Sequence, residues 1–313
     1  MYSVQQPKPS NLNIKIMKRR EFIQNTAALA LGGWLMTYKE SWGMPAMTFP
    51  VGVQLYTFAK DIDNDLPSIL KKLSELGYTQ VESFPSRKGG YFGMKPKEFS
   101  QLVKDHGLTW RSHHQGGTPW NPPAGANVPA NMPKQRSLRD NAQEVVDEVA
   151  EGGAKFLICS SIDIKNGDAV KSAVDILGKA GEIAKKAGLT FGFHNHDREF
   201  ANVDGVVPYE VFLSQLSPDI KMELDLAWVS KAKVDPVELF KKNPGRFPLW
   251  HVKDFDKEFK TLMPVGSGSI DFKRIFENAK LAGLEYPLVE HDGPSNAIES
   301  VTSSINYLKT ILK

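Results

Sequence analysis

The chain has seven histidines. Two of them stand one residue apart in Phe191-Gly192-Phe193-His194-Asn195-His196-Asp197, behind an apolar run and where a strand is expected to stop. Alternate residues of a strand face opposite sides. Leu189, Phe191 and Phe193 therefore share an apolar outer face, while Thr190, Gly192, His194 and His196 share the inner one and Asn195 points away. The same parity turns Glu223 and Asp225 inward in Lys221 to Trp228, and His251 and Lys253 inward in Pro248 to Asp254. Glu290 shares the face of Leu288, and Glu82 opposes the apolar Val81. On a further segment Leu108 and Trp110 have the parity of His114, so the apolar rule turns His113 inward instead.

His194, Asp225, His251 and Glu290 thus end four successive segments. Two imidazoles and two carboxylates make a neutral set around a divalent cation. Such a mixed nitrogen and oxygen set suits manganese, cobalt, zinc or iron better than magnesium or calcium. Singly, each residue has a plainer explanation, as a salt-bridge partner or a hydrogen-bonded core histidine. Their convergence on one opening is what argues for a metal, and that depends on the elements that carry them.

One joint recurs beyond residue 48: an amphipathic helix, a glycine, then a short apolar strand. It is seen at Gly77, Gly107, Gly153, Gly188 and Gly283, and glycine after a helix is the usual left-handed cap. The pattern predicts strands over about 51–57, 79–84, 108–114, 155–161, 189–196, 220–226, 247–253 and 286–290, with helical periodicity between them. Strand and helix in alternation imply a parallel sheet. Eight such units from residue 49 onward fit an α/β fold of the (β/α)8 TIM barrel type, in which functional side chains project from the C-terminal strand ends. An open doubly wound sheet would favour a Gly-rich phosphate loop after the first strand, and Val51 to Thr57 is followed by none.

Of 313 residues, 41% are hydrophobic and 24% charged, as in an ordinary globular domain. No apolar run approaches the roughly 18 residues that span a bilayer. A single cysteine, Cys159, excludes an internal disulfide and a cysteine-rich zinc site. The net charge of +3 is uneven. Residues 1–46 hold six Lys or Arg and two acids, leaving 33 basic and 34 acidic residues for the rest. A body so balanced is a poor binder of a nucleic-acid backbone. Met17-Lys18-Arg19-Arg20 precedes an Ala-, Leu- and Gly-rich stretch reaching Met36. It resembles a bacterial twin-arginine export signal, read by a receptor and then removed; the alternative is an ordinary N-terminal helix. We therefore expect a signal segment over 1–46, cleaved near residues 40–48, a single barrel domain over 47–313, and a periplasmic protein with no stable membrane anchor after the signal is removed.

The chain resembles the xylose isomerase-like barrel superfamily, in its sugar phosphate isomerase/epimerase branch, over nearly all of residues 49–313. The resemblance is carried by Val53-Gln54-Leu55-Tyr56, His194-Asn195-His196, Leu224-Asp225 to Trp228, His251-Val252-Lys253-Asp254, Gly266 to Asp271, and Val289-Glu290. It implies a divalent metal held by a glutamate, an aspartate, a histidine and a second glutamate from strands five to eight. The last three fall on Asp225, His251 and Glu290; the first falls on His194, a departure. It also implies that the active-site histidine of the third strand is His114, against the parity argument.

What the resemblance implies chemically is removal of a proton next to a carbonyl, with the metal polarising the carbonyl and steadying the enediolate. Such epimerases use both metal-bound glutamates for proton transfer, and here one is missing. The base role then falls to Glu290, His196 or Lys253. A lysine beside a cation would have a lowered pKa and act as an acid; the alternative is a salt bridge to Glu82 or Glu223. Glu82, His114 and Trp228 would line the sugar pocket. The leading expectation is a metal-dependent isomerase or epimerase of a free sugar or keto-sugar. The runner-up is a lyase or dehydratase acting on a keto-sugar or 3-keto-glycoside, and a third reading is a non-catalytic sugar-binding barrel. The implied partner is a small carbohydrate, not nucleic acid, and an oligomer is compatible with the sequence.

Overall fold

Short apolar strands alternating with amphipathic helices can bury both faces of a sheet when the helices cover one side and the sheet closes on itself at the other. The computed structural model describes residues 49–120, 133 and 135–312 of the chain. The segment read as an export signal lies outside them. Eight parallel strands close the barrel: β1 Gly52–Gln54, β2 Gln80–Ser83, β3 Thr109–Gly116, β4 Phe156–Ser161, β5 Thr190–His194, β6 Lys221–Asp225, β7 Leu249–Val252 and β8 Tyr286–Val289. Each pairs with the next in the chain, and β8 returns to β1 through Gly52 against Leu288 and Val53 against Val289. All eight expected strands are present, each with its end shifted by a few residues at most. The glycines of the recurring joint all have positive φ; Gly77 at 95° and Gly153 at 80° are left-handed caps of Ile62–Leu76 and Leu138–Gly152. Among the described residues no helix is long and apolar enough to cross a membrane.

The alternation read from the sequence separates two apolar layers. Phe193 packs outward, edge-on to Phe212 of the helix Pro208–Gln215 at 4.9 Å, within the large cluster between strands and helices. A smaller cluster of Phe156, Ile158 and Leu249, with Tyr286 against it, has the inward parity and fills the lower interior. Gly192 faces that interior on β5. A Cβ there would lie 2.7 Å from Ile158 Cδ1 and 3.2 Å from the Lys221 carbonyl. Gly192→Ala is expected to destabilise the barrel by about 1–3 kcal/mol through overpacking, read as a lower urea midpoint with an unchanged slope.

Parity fails on β3, for a local reason. Val81 pairs with Trp110 but Glu82 pairs with Ser112, so β3 carries one extra residue, Arg111. Arg111 and Ser112 both turn inward: the guanidinium lies 4.3 Å over the Tyr286 ring, and the Ser112 hydroxyl donates to Glu82. Every later residue is flipped. His113 accordingly faces the helices, with Nδ1 2.8 Å from Ser83 Oγ and its ring 5.0 Å from Tyr91, and His114 faces the axis. The parity expectation for His113 is corrected by this bulge.

Candidate active site

Strand β6 ends on Asp225, whose two carboxylate oxygens have separate roles. Oδ1 accepts from the backbone N–H of Ala227 and Trp228, both at 2.9 Å, and so caps the short helix Leu226–Lys231. Oδ2 is buried without a hydrogen bond. The Asp225 N–H donates to Asn195 Oδ1 at 3.1 Å, so Asn195, turned off the inner face, ties β5 to β6. His251 Nδ1 lies 2.6 Å from Glu290 Oε2 but outside hydrogen-bond geometry, and it too is buried without a hydrogen bond. Asp225, His251 and Glu290 bring one donor atom each to within 4.8 Å of one another. Asp225 Oδ2 and His251 Nδ1 lack a well-directed hydrogen bond, their nearest charged neighbours being the Lys253 ammonium at 3.2 Å and Glu290 Oε2 at 2.6 Å, and a set of one nitrogen and two carboxylate oxygens fits a divalent cation. The other imidazole nitrogen, Nε2, lies 2.7 Å from Glu82 Oε1, the outer partner that fixes a metal-binding histidine.

Beside this trio is a second cluster, built around Glu223, whose Oε1 is likewise buried without a hydrogen bond. His114 Nε2 is 2.6 Å from Glu223 Oε2 and 3.0 Å from Glu82 Oε1. His194 Nδ1 is 3.2 Å from Glu223 Oε2, and its Nε2 is 3.9 Å from Asp225 Oδ2. The four expected metal ligands therefore fall into two groups that share His251: His114, His194, Glu223 and His251, and Asp225, His251 and Glu290. Burial works against the charge on Glu82, but His114 and His251 outweigh it and hold the carboxyl well below its usual range. Burial and Glu82 push Glu223 up to about 7. His114 rises to about 9 despite burial, because Glu82 and Glu223 stabilise its cation. His194 falls well below an ordinary histidine through burial and then through His251 and His114.

Lys253 is buried and forms ion pairs with Glu290 at 2.7 Å, Asp292 at 2.9 Å and Asp225 at 3.2 Å. Burial lowers its pKa, but these carboxylates outweigh burial and hold it well above the usual lysine value. The lowering expected beside a cation must overcome that field. The expected alternative partners, Glu82 and Glu223, are replaced by Asp225, Glu290 and Asp292. Asp292 is a partner that the sequence reading does not include, although it continues the Leu288 and Glu290 parity one step past the strand.

A cavity of about 710 Å³ opens above, with His114, His194, His196, Trp228, Lys253 and Glu290 on its inner wall. Glu82, expected to line it, is fully buried among Gln54, Ser112, His114 and His251 and is not part of the wall. His196 has a buried Nδ1 without a hydrogen bond. Its backbone N–H donates to Glu199 Oε2 at 2.8 Å, so the buried Glu199 holds the turn and stays off the cavity wall.

The loop of Gly266 to Asp271 is held by one side chain. Asp254, two residues past β7, accepts from the N–H groups of Phe255, Gly266 and Gly268 at 2.9 Å, Ser269 at 3.1 Å and Ile270 at 3.2 Å. The His-Val-Lys-Asp and Gly-x-Gly-x-Ile-Asp motifs are therefore one device that fixes the chain immediately after Lys253.

Residues 70–311 match the family model of the xylose isomerase-like TIM barrel. A sugar phosphate isomerase/epimerase from Parabacteroides distasonis is 30% identical, with 88% of this chain and 99% of that one covered and a TM-score of 0.72. A second protein so described from the same organism is 25% identical over 84% of this chain and 99% of that one, with a TM-score of 0.71. An L-ribulose 3-epimerase shares the fold at 15% identity, over 84% and 94%, with a TM-score of 0.64. No curated protein sequence matches the chain.

Proposed function

The chain belongs to the xylose isomerase-like TIM barrel family, and from that premise we propose that it is a divalent-metal-dependent isomerase or epimerase of a sugar or keto-sugar. The observation that carries the proposal is the meeting of Asp225 Oδ2, His251 Nδ1 and Glu290 Oε2 beside Lys253 at the inner wall of a sugar-sized cavity. Asp225, His251 and Glu290 would hold the cation, with His194 at the edge of the set. Manganese, cobalt, zinc or iron suits these donors. When bound, such a cation supplies Lewis-acid polarisation of a substrate carbonyl.

The protein's own groups divide the remaining work. Trp228 offers an aromatic face on the cavity wall, against which a sugar ring can stack. Glu290 is committed to Lys253 and His251, whereas the His196 ring stands on the cavity wall and is kept neutral, its pKa lowered to about 3 by burial and then by Lys253 and Arg198. We therefore assign removal of the proton next to the carbonyl to His196. Lys253, held as an ammonium by its carboxylates, donates to the oxygen on which negative charge develops. Lys253→Met should lower turnover by roughly 10²- to 10⁴-fold. It should also tighten divalent-metal binding, because two of the carboxylates it neutralises are in the metal set; kinetics and metal titration on one preparation check both.

Deuterium oxide gives the test of the reaction. Protein loaded with Mn²⁺ should introduce deuterium next to the carbonyl of a sugar or keto-sugar without loss of a group. Release of water or an aglycone would replace isomerisation with the lyase reading, and neither event with any keto-sugar would sink both. We also propose that residues 1–46 export the protein to the periplasm. A folded reporter fused to them should stay inside cells that lack the twin-arginine translocase.

A further inference from the structure

We infer that the mouth of the cavity is a second binding subsite, for a ring carried on the reacting sugar, so that the substrate is a glycoside. This deepens the sugar-enzyme reading and rests on it. Four large hydrophobic side chains are notably exposed among the described residues: Tyr56 at 46%, Trp120 at 49%, Val206 at 39% and Leu281 at 37%. Only Tyr56 and Trp120 are aromatic, and both line the one cavity that contains the candidate site. They come from different strands, Tyr56 from the turn Leu55–Phe58 after β1 and Trp120 from the segment after β3. Their meeting at one mouth is therefore a product of the fold and not of sequence proximity.

Tyr56 is held in place from below. Its backbone N–H donates to Gln54 Oε1 at 3.0 Å, and Gln54 Nε2 donates to Glu82 at 2.7 Å, in the network beneath the cavity. Its ring stands edge-on to Phe84 at 5.1 Å, and Phe84 stands edge-on to the buried Phe92 at 5.4 Å. A ring braced in this way is a stacking platform with little freedom to lose on binding. Tyr and Trp suit a ligand ring with an apolar face and polar edges. Arg87 and Asp163, also on the wall, can meet hydroxyl groups at those edges. The cavity volume of about 710 Å³ exceeds what one hexose fills once Trp228 has taken the inner ring. The shared ligand chemistry is a six-membered ring linked to the sugar through an oxygen, either a second pyranose or an aryl group.

The test measures binding to the Mn²⁺-loaded full chain by calorimetry. The probes are D-glucose and D-galactose, then cellobiose and lactose, then the 4-nitrophenyl glycosides of both sugars. At least one two-ring ligand should bind about tenfold more tightly than its own monosaccharide. The Tyr56→Ala, Trp120→Ala double variant should remove that advantage and leave monosaccharide affinity in place, which also reports that the variant is folded. A gain confined to disaccharides identifies the outer ring as a sugar, and one confined to nitrophenyl glycosides identifies it as an aryl group; either supports the subsite. If two-ring ligands bind no better than monosaccharides, or if the gain survives the double variant, the subsite is overturned and the sugar reading stands. Binding of none of the probes overturns both.

Discussion

Asp225→Asn is expected to lower turnover by roughly a thousandfold while leaving the barrel folded. The two oxygens of Asp225 separate the effects. Oδ1 caps the helix Leu226–Lys231, and asparagine caps about as well as aspartate. Oδ2, buried and without a hydrogen bond, becomes an amide NH₂ that cannot bind a cation and that faces the Lys253 ammonium, which lies 3.2 Å from Oδ2. Losing about 4 kcal/mol of charge stabilisation in the transition state corresponds to that thousandfold. Deuterium exchange into substrate and thermal melting on the same sample check the two halves. Asp225→Ala should match it in turnover and in addition lose about 1 kcal/mol of stability with the cap.

The second large effect concerns stability. Asp254→Ala should cost about 4 kcal/mol or more, because it strands five backbone N–H groups that converge on one buried carboxylate. Asp254→Asn should recover only part of this. Oδ2 takes Gly266 and Gly268 while Oδ1 takes the other three, and an amide can accept with only one of its two ends. Gly268→Ala tests the same clamp from the loop side, since a Cβ there would stand 2.2 Å from the Phe255 carbonyl and 2.4 Å from Asp254 Oδ1. Guanidinium unfolding should place all three variants below the wild type, with Asp254→Ala below Asp254→Asn. Turnover should fall with the order of the loop, because the clamp adjoins Lys253.

Much of the fold was legible because its signals are local. Five glycine joints and the less regular apolar runs beside them set the number of strands, and the number of strands sets the barrel. Inward or outward direction was legible on β5, β6, β7 and β8, where alternation runs unbroken to Asp225, His251 and Glu290. It failed on β3, where the extra residue at Arg111 reverses the sense of His113 and His114. A bulge depends on pairing with a neighbour, and nothing in residues 108–114 alone announces it.

Depth was harder to read than direction. Glu223 shares a face with Asp225 but starts two residues earlier, roughly 7 Å lower along the strand. It therefore joins His114, His194 and Glu82 in the lower network and does not reach the cavity wall. Glu82 has the inward direction of a pocket residue but lies buried beneath the cavity. The partners of Lys253 depended on the same information. Asp292 reaches the ammonium from one step past Glu290 in the same parity, while Glu82 and Glu223 face the imidazoles.

Titration of chelator-stripped protein with Mn²⁺ by calorimetry, on the wild type and Asp225→Asn side by side, tests the proposed metal centre most directly. The expected result is one Mn²⁺ bound per wild-type chain and no binding to the folded variant. Equal binding by both proteins, or none by the wild type, would contradict a metal centre built on Asp225, His251 and Glu290.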